Sequence, residues 1–191
     1  MQQEIREPSI SLKLATDEDI ELIMAWRNNP LIFQSGAYTQ KTQLTWREHY
    51  NWWKCRGPWW KFFMIIADDG ITQSRRVGIV NFGQLDNWNP EFNYYLGETS
   101  LWGQGVGKIA LKLGLDWLKY HGYCRTHSTV RDDNERSINI LKSLSFVRTG
   151  DARLGESYWE IRLAEKDTAT EYTSGRKPFM DELQSNKLWI D

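Results

Sequence analysis

The sequence predicts a single mixed α/β domain, a β-sheet with helices on both faces, followed by a short polar and aromatic extension. Three observations carry that prediction. The chain has 191 residues, a length at which one domain buries a sizeable core. Hydrophobic residues make up 40% and charged residues 26%, ordinary values for a globular chain. Segments of two-residue and helical periodicity follow one another as strand, two helices, three strands, helix, strand, helix, two strands.

The first strand is Ile10 to Leu14, where apolar and polar residues alternate. Thr16 then offers a helix N-cap, and Asp17, Glu18 and Asp19 populate a first turn that favours negative charge. Ile20, Ile23, Met24 and Arg27 share one helical face, and Asn28-Asn29-Pro30 stops the helix. A second helix opens at Thr45, which pairs with Glu48 as a capping box, and ends at Gly57-Pro58. Three strands follow: Phe62 to Ala67, turned by Asp68-Asp69-Gly70; Arg76 to Gln84; and Phe92 to Leu96, after a loop at Asn87 to Pro90. Gly103-Gln104-Gly105-Val106-Gly107 leads into a long helix to about Tyr120, with Gly122 as its C′ residue. Arg125 to Val130 is a strand and Asn134 to Leu144 a helix. Phe146 to Thr149 and Tyr158 to Leu163 are the closing strands. The domain therefore spans residues 1–163. The extension, 164–191, carries a short helix from Pro178 with Phe179, Leu183, Leu188 and Trp189; its aromatic content suits cover for a sheet edge or a homodimer contact.

Charge and cysteine content narrow the function classes. Twenty-four basic and 25 acidic residues leave a net charge of −1, so no global field draws the chain to nucleic acid or an anionic membrane. The longest apolar runs, such as Phe62 to Ala67, fall far short of a membrane span, and Met1 to Glu7 lacks the basic start of a signal peptide. Two cysteines, Cys55 and Cys124, imply no disulfide framework, and no metal-ligand spacing is visible. A cytoplasmic, metal-free protein is expected.

The most informative segment is Leu101-Trp102-Gly103-Gln104-Gly105-Val106-Gly107-Lys108, between a strand and a helix. Glycines let backbone N–H groups approach a ligand, and a helix start adds unpaired N–H groups and a positive dipole end. Together they suit phosphate oxygens, with Lys108 adding charge at the rim. A P-loop fails at both ends, because Trp102 and Ile109 stand where glycine and Ser/Thr belong. A dinucleotide fingerprint fails at Lys108, where its third glycine belongs, and the loop lies past the chain's midpoint.

The segment resembles motif A of the GNAT superfamily of N-acetyltransferases, Arg/Gln-x-x-Gly-x-Gly/Ala. Gly105 and Gly107 match its small positions, and Trp102 replaces Arg or Gln, as in relatives that modify ribosomal proteins and polyamines. Val130-Arg131-Asp132-Asp133-Asn134-Glu135-Arg136-Ser137 and the helix to Phe146 resemble motif B, with Ser145-Phe146 replacing its Gly-Phe ending. The resemblance covers about residues 10–163. Trp26-Arg27-Asn28-Asn29-Pro30, with His49 and Trp53, is similar to the subgroup that acetylates amino sugars on nucleotide carriers. It implies the acyl-CoA N-acyltransferase fold, a mostly antiparallel twisted sheet with a splayed parallel central strand pair. It also implies acetyl-CoA as co-substrate, held by residues 101–108, Asn134 and Ser137, and direct attack of a neutral amine on the thioester. A backbone N–H near Ser100 to Trp102 would polarise the carbonyl.

The acid–base residues stay open. One family branch carries a glutamate five residues before the motif B asparagine; here that residue is Thr129. His127, two residues earlier on the same strand face, is a base candidate, and Glu98 and Glu91 are further ones. The family's tyrosine acid is replaced by Leu141, leaving Ser137 to hydrogen-bond the leaving sulfur. Asn134 either binds pantetheine amides or caps its helix. Cys124 reads as a bystander. Trp46, Trp52, Trp53, Trp59 and Trp60, interleaved with Lys54, Arg56 and Lys61, are core residues, an acceptor wall or base-stacking residues. Trp26, Arg27 and Trp53 are the acceptor-binding candidates, Arg27 suiting an anionic acceptor. The expected reaction is acetyl transfer to a small amine or amino sugar. Protein N-terminal or lysine acetylation is the alternative within the class. A catalytically weak acyl-CoA-binding module is the alternative outside it, favoured by Thr129 and Leu141.

Overall fold

The computed structural model describes residues 9–34, 42–68, 74–153 and 155–164. Most of the extension therefore lies outside the described residues, as does the Asp69-Gly70 part of the expected turn.

Among the described residues, seven strands form one sheet: β1 (Ser9–Leu14), β2 (Lys61–Asp68), β3 (Arg75–Gly83), β4 (Glu91–Leu96), β5 (Arg125–Arg131), β6 (Val147–Arg153) and β7 (Glu156–Arg162). Their spatial order is β1-β2-β3-β4-β5-β7-β6. Every neighbouring pair is antiparallel except β4 and β5, which run parallel and meet at a single register position, Glu91 opposite His127. The mixed sheet and its parted central pair are as the sequence resemblance implied.

Capping chemistry sets the helix starts. Thr16 and Asp19 form a capping box around a 3₁₀ turn, so the α-helix proper, α1, is Ile20–Arg27. Asn28-Asn29-Pro30 ends α1 and at once starts a further turn, α2 (Pro30–Phe33), which the sequence reading treated as a stop. Asn29 Oδ1 accepts from Leu31 N at 3.0 Å and Pro30 takes the first helical position, where its missing N–H costs nothing. Thr45 and Glu48 cap α3 (Trp46–Lys54) reciprocally, with Thr45 N donating to Glu48 Oε2 at 2.8 Å. The long helix α4 (Val106–Tyr120) starts at Gly105 and is closed by Gly122 at φ +81°, with Tyr123 N donating to Leu118 O. The last helix, α5 (Glu135–Ser143), ends in a left-handed residue that is not glycine: Ser145 has φ +70°, and Phe146 N donates to Leu141 O. Phe146 is buried just before β6, which starts one residue later than expected and runs on to Arg153.

Two cores separate the faces. On one face α4 and α5 pack over β2 to β5: Phe82 stacks on Trp117 at 4.9 Å between ring centroids, beside Phe63, Phe92, Leu111 and Leu141. On the other, Ile23, Trp26 and Ile32 cover Phe62, Met64, Ile79 and Tyr95. Along β4, Phe92, Tyr94 and Leu96 therefore face the α4/α5 side, and Tyr95 the α1/α3 side. His49 fastens α3 to α1. Arg27 Nη1 donates to His49 Nδ1 at 3.3 Å, which leaves the ring proton on Nε2 to donate to the Ile20 carbonyl at 3.0 Å. Burial first, and the Arg27 charge second, lower the His49 pKa to about 4.

Two stability predictions follow from these contacts. Relieving the left-handed strain with Ser145→Gly raises the unfolding free energy by about 0.5–1 kcal/mol, net of the glycine's added unfolded-state entropy, read from the denaturation midpoint at unchanged slope. His49 binds a proton in the unfolded chain near pH 6.5 but in the folded chain only near pH 4. Its contribution is fully present above pH 6.5 and is lost as the pH falls toward 4. Wild type should lose about 2 kcal/mol more stability than His49→Gln between pH 7.5 and 4.5, measured by urea unfolding at both values.

Candidate active site

β4 and β5 part immediately beyond their one paired position. Their closed end is pinned by three hydrogen bonds to the loop before β4: His127 N to Pro90 O at 3.1 Å, Thr126 Oγ1 to Pro90 O at 2.8 Å, and His127 Nδ1 to Asn89 O at 3.1 Å. Past this clasp the strands diverge around a cavity of about 620 Å³ that opens on both faces of the sheet. The α4/α5 side is lined by the glycine loop, Tyr94, Ser128, Asn134, Arg136 and Ser137. The α1/α3 side is lined by Trp52, Arg56, Trp60, Asn81, Glu91 and Asn93.

The glycine loop forms one mouth. Gly103 and Gly105 have φ of +81° and +83°, and an added Cβ at either would meet no atom within 4 Å. These glycines are required by backbone conformation and border open space rather than packed protein. Val106, Gly107 and Lys108 occupy the first turn of α4, where N–H groups have no carbonyl one turn earlier to receive them. The Gln104 amide is used locally, donating to Leu101 O at 3.3 Å, and the Gln104 side chain donates to Ser100 O at 2.8 Å. Trp102 ties the loop to β4 through Nε1 and the Leu96 carbonyl at 3.2 Å, and the Arg136 guanidinium lies 4.5 Å from its ring centroid. A diphosphate fits this mouth: exposed amides, a helix N-terminus, and two cations, Lys108 and Arg136, on the cavity wall.

The gap offers a different oxyanion donor from the expected one. The Leu101 and Trp102 amides donate to Glu98 O and Thr99 O, both at 3.1 Å, inside a 3₁₀ turn. Along β4 the bond from Gly97 N to Val77 O sets the phase of the ladder to β3. Odd-numbered amides therefore point at β3, and those of Tyr94 and Leu96 point across the gap toward β5. A carbonyl placed there meets N–H donors already aimed at it.

The remaining sequence-derived residues divide. Asn134 Oδ1 caps α5, accepting from Ser137 N at 3.2 Å, and both side chains line the cavity. His127 is on the α1/α3 face but belongs to the clasp, edge-on to Tyr158, outside the cavity lining. Glu98 also lies off the wall and accepts from Trp26 Nε1 at 3.4 Å. Trp26 is 5% exposed and packs over Gly97, where a Cβ would come within 2.1 Å of the indole; it is a core residue. Arg27 is 7% exposed and held by His49, and Trp53 turns its Nε1 to Asp17 at 2.9 Å. None of the three reaches the cavity wall. On the α1/α3 side the tryptophans that do are Trp52 and Trp60, with Arg56 between them, its guanidinium 3.5 Å and 4.5 Å from their ring centroids. Arg27 touches the same Trp52, at 4.2 Å, from within the core. Of the tryptophans that the sequence offered as an acceptor wall, Trp52 and Trp60 line the gap, because α3 turns Trp52 rather than Trp53 toward it.

Tyr94 is the residue the sequence reading missed altogether. Burial pushes its phenol pKa above the usual value, with the nearby Ser137 side chain and Arg136 charge opposing that shift, and its side chain lines the cavity. Alternation along β4 was the available signal, since it puts Tyr94 on the helix-bearing face beside the loop.

A sequence model described as an acetyltransferase (GNAT) domain matches residues 10–147. The chain belongs to the GNAT acetyltransferase family. An uncharacterized protein of Methanocaldococcus jannaschii is 40% identical over 154 residues, which is 81% of this chain and 31% of that protein. The chain thus spans about a third of that relative's length. A crystal structure of a domain from the same archaeon superposes with a TM-score of 0.77 at 39% identity, covering 82% of this chain and 99% of that one. The spermidine N-acetyltransferase of Vibrio cholerae, crystallised with CoA and spermine, shares the fold at a TM-score of 0.68 and 15% identity, over 81% of this chain and 95% of that one.

In this GNAT chain Gly105→Glu should cut CoA affinity by at least about a hundredfold, because it sets a carboxylate where the diphosphate charge is received. The left-handed φ adds about 1–2 kcal/mol of strain, a melting shift of only several degrees at this length. Calorimetric titration with CoA, beside a thermal melt, checks both; unchanged CoA affinity would place the cofactor elsewhere.

Proposed function

We propose that this protein transfers the acetyl group of acetyl-CoA directly to the primary amine of a small molecule or amino sugar. One observation carries the reading. The cavity runs from a diphosphate-binding helix mouth, through the parted strands, to an aromatic wall on the opposite face that ends in a carboxylate, Glu91. A thioester entering from the α4 side and an amine entering from the α3 side meet in the gap, which supplies the proximity and orientation that the reaction needs.

Residues 101–108 hold the diphosphate, and Asn134 and Ser137 stand along the pantetheine path. The thioester carbonyl accepts from the Tyr94 or Leu96 amide, so negative charge developing on its oxygen is stabilised without reorganisation. Of the three base candidates, Glu91 lines the cavity. It takes the ammonium proton, directly or through water, and the neutral amine attacks. His127 lies directly across the register from Glu91 and holds the clasp that positions it. Arg56, steadied by Trp52, Trp60 and Phe62, suits an anionic group on the acceptor. This takes over the part the sequence reading assigned to Arg27. A polyamine such as the spermine bound by the Vibrio cholerae enzyme would meet this cation unfavourably, so an acceptor with a phosphate or carboxylate is favoured over a polycation.

Thiol release from acetyl-CoA, followed over a panel of amino sugars, nucleotide-linked amino sugars, polyamines and peptides, tests the reading. Turnover is expected with an amino sugar or small amine and not with peptides. Glu91→Gln should lower kcat/KM about a hundredfold while leaving CoA affinity unchanged. Tight CoA binding with no turnover on any amine would sink the proposal in favour of an acyl-CoA-binding role.

A further inference from the structure

We propose that Asn81 and Asn93 select the acceptor by hydrogen-bonding the hydroxyl groups that flank its amine. The inference rests on the amine lying at Glu91 as proposed above. It narrows the acceptor to an amino alcohol, of which an amino sugar is the cyclic form.

The two asparagines are a cross-strand pair. Asn81 of β3 stands directly opposite Asn93 of β4, and Gly83 stands opposite Glu91 one row further along the same face. Asn81, Asn93 and Glu91 all line the α1/α3 side of the cavity. Gly83 leaves its place in that row to the Trp60 indole, since an added Cβ would come within 2.6 Å of the ring. Glu91 thus has an aromatic face across from it and a row of amides beside it.

The protein itself leaves these amides unused. Asn81 is 5% exposed, and its neighbours on this face, Ile79 and Phe62, are buried and apolar. Asparagine is depleted in strands, and a buried amide without a partner is costly. The main-chain groups of both residues are spent in the β3–β4 ladder. Among the described residues, neither side-chain amide hydrogen-bonds to a protein group, and both line the cavity. Buried polar groups carry partners, so the partners of this pair come from what fills the cavity.

A hydroxyl is the group that suits them. Each amide presents N–H donors and a carbonyl acceptor, and a hydroxyl both accepts and donates. Asn93 and Glu91 are two residues apart on one strand, about 6.8 Å. An amine held by Glu91 therefore sets its adjacent carbons beside the asparagine row. The Trp60 ring offers a flat apolar face to the carbon skeleton. A polyamine or a lysine side chain brings no hydroxyl next to its amine and would strand both amides. A site built to bond a hydroxyl rejects the analogue that lacks it for that reason.

Acetylation of glucosamine and of cyclohexylamine isolates the hydroxyls, because each carries a primary amine on a six-membered ring. Asn81→Leu and Asn93→Leu keep the side-chain shape and remove its polarity. Each should lower kcat/KM for glucosamine about tenfold, the value of one hydrogen bond. Each should leave kcat/KM for cyclohexylamine within about twofold and CoA affinity unchanged. The different basicities of the two amines cancel, since each variant is compared with wild type on the same amine. If Asn81→Leu loses CoA binding through misfolding, the half-buried Asn93 carries the test. An unchanged kcat/KM for glucosamine in a folded variant overturns the inference. So do equal losses on both amines, because the asparagines would then only shape the sheet. Wild type that acetylates other amines but not glucosamine overturns it as well. Wild type that binds CoA and acetylates no amine sinks the acetyl-transfer reading itself.

Discussion

The site depends on one discontinuity in backbone hydrogen bonding. β4 and β5 are joined at Glu91 and His127 and nowhere beyond. Buried main-chain donors and acceptors require partners, so a parted strand pair inside a sheet is costly unless a ligand supplies them. Here the clasp from Thr126 and His127 to Pro90 and Asn89 holds one end closed. Sheet twist and the antiparallel neighbours β3 and β7 carry the free ends apart. The amides of Tyr94 and Leu96 then face a space shaped for an extended arm with its own amides. The cavity, the aim of the two amides and the opening onto both faces of the sheet all derive from that interruption.

The two mouths differ in chemistry because different elements build them. The α4 mouth is main-chain and cationic: glycines in left-handed conformations, a helix N-terminus, Lys108 and Arg136. Its shape owes little to side-chain packing, since Gly103 and Gly105 border open space. The α3 mouth is side-chain and aromatic. Trp52, Trp60 and Phe62 spread their faces around Arg56, while buried, neutral His49 and its partner Arg27 stiffen the layer behind. Binding there is selective because an aromatic, partly desolvated surface discriminates by shape and by charge.

Much of the fold was legible in the sequence because local signals and global structure agree. Thr16 with Asp19, Thr45 with Glu48, and Gly122 mark helix ends by hydrogen-bonding rules that act over a few residues. The glycine loop was legible for the same reason, since positive φ at Gly103 and Gly105 is a local demand. Two details were less legible. Asn29 and Pro30 end α1 and also begin α2. The Leu101 and Trp102 amides are taken up within their own turn, by Glu98 O and Thr99 O.

The sequence by itself determined the family and the conformation of the glycine loop, because glycines, caps and two motifs act through backbone conformation within short spans. Only the tertiary structure decided which side chains meet across the gap. Trp52, Arg56 and Trp60 line the cavity while Trp26, Arg27 and Trp53 lie off it, and Tyr94 lines it with Ser137, through contacts between residues tens of positions apart. Helix rotation about its axis and strand phase set those meetings, and both are settled by packing of the whole core, which no local spacing encodes.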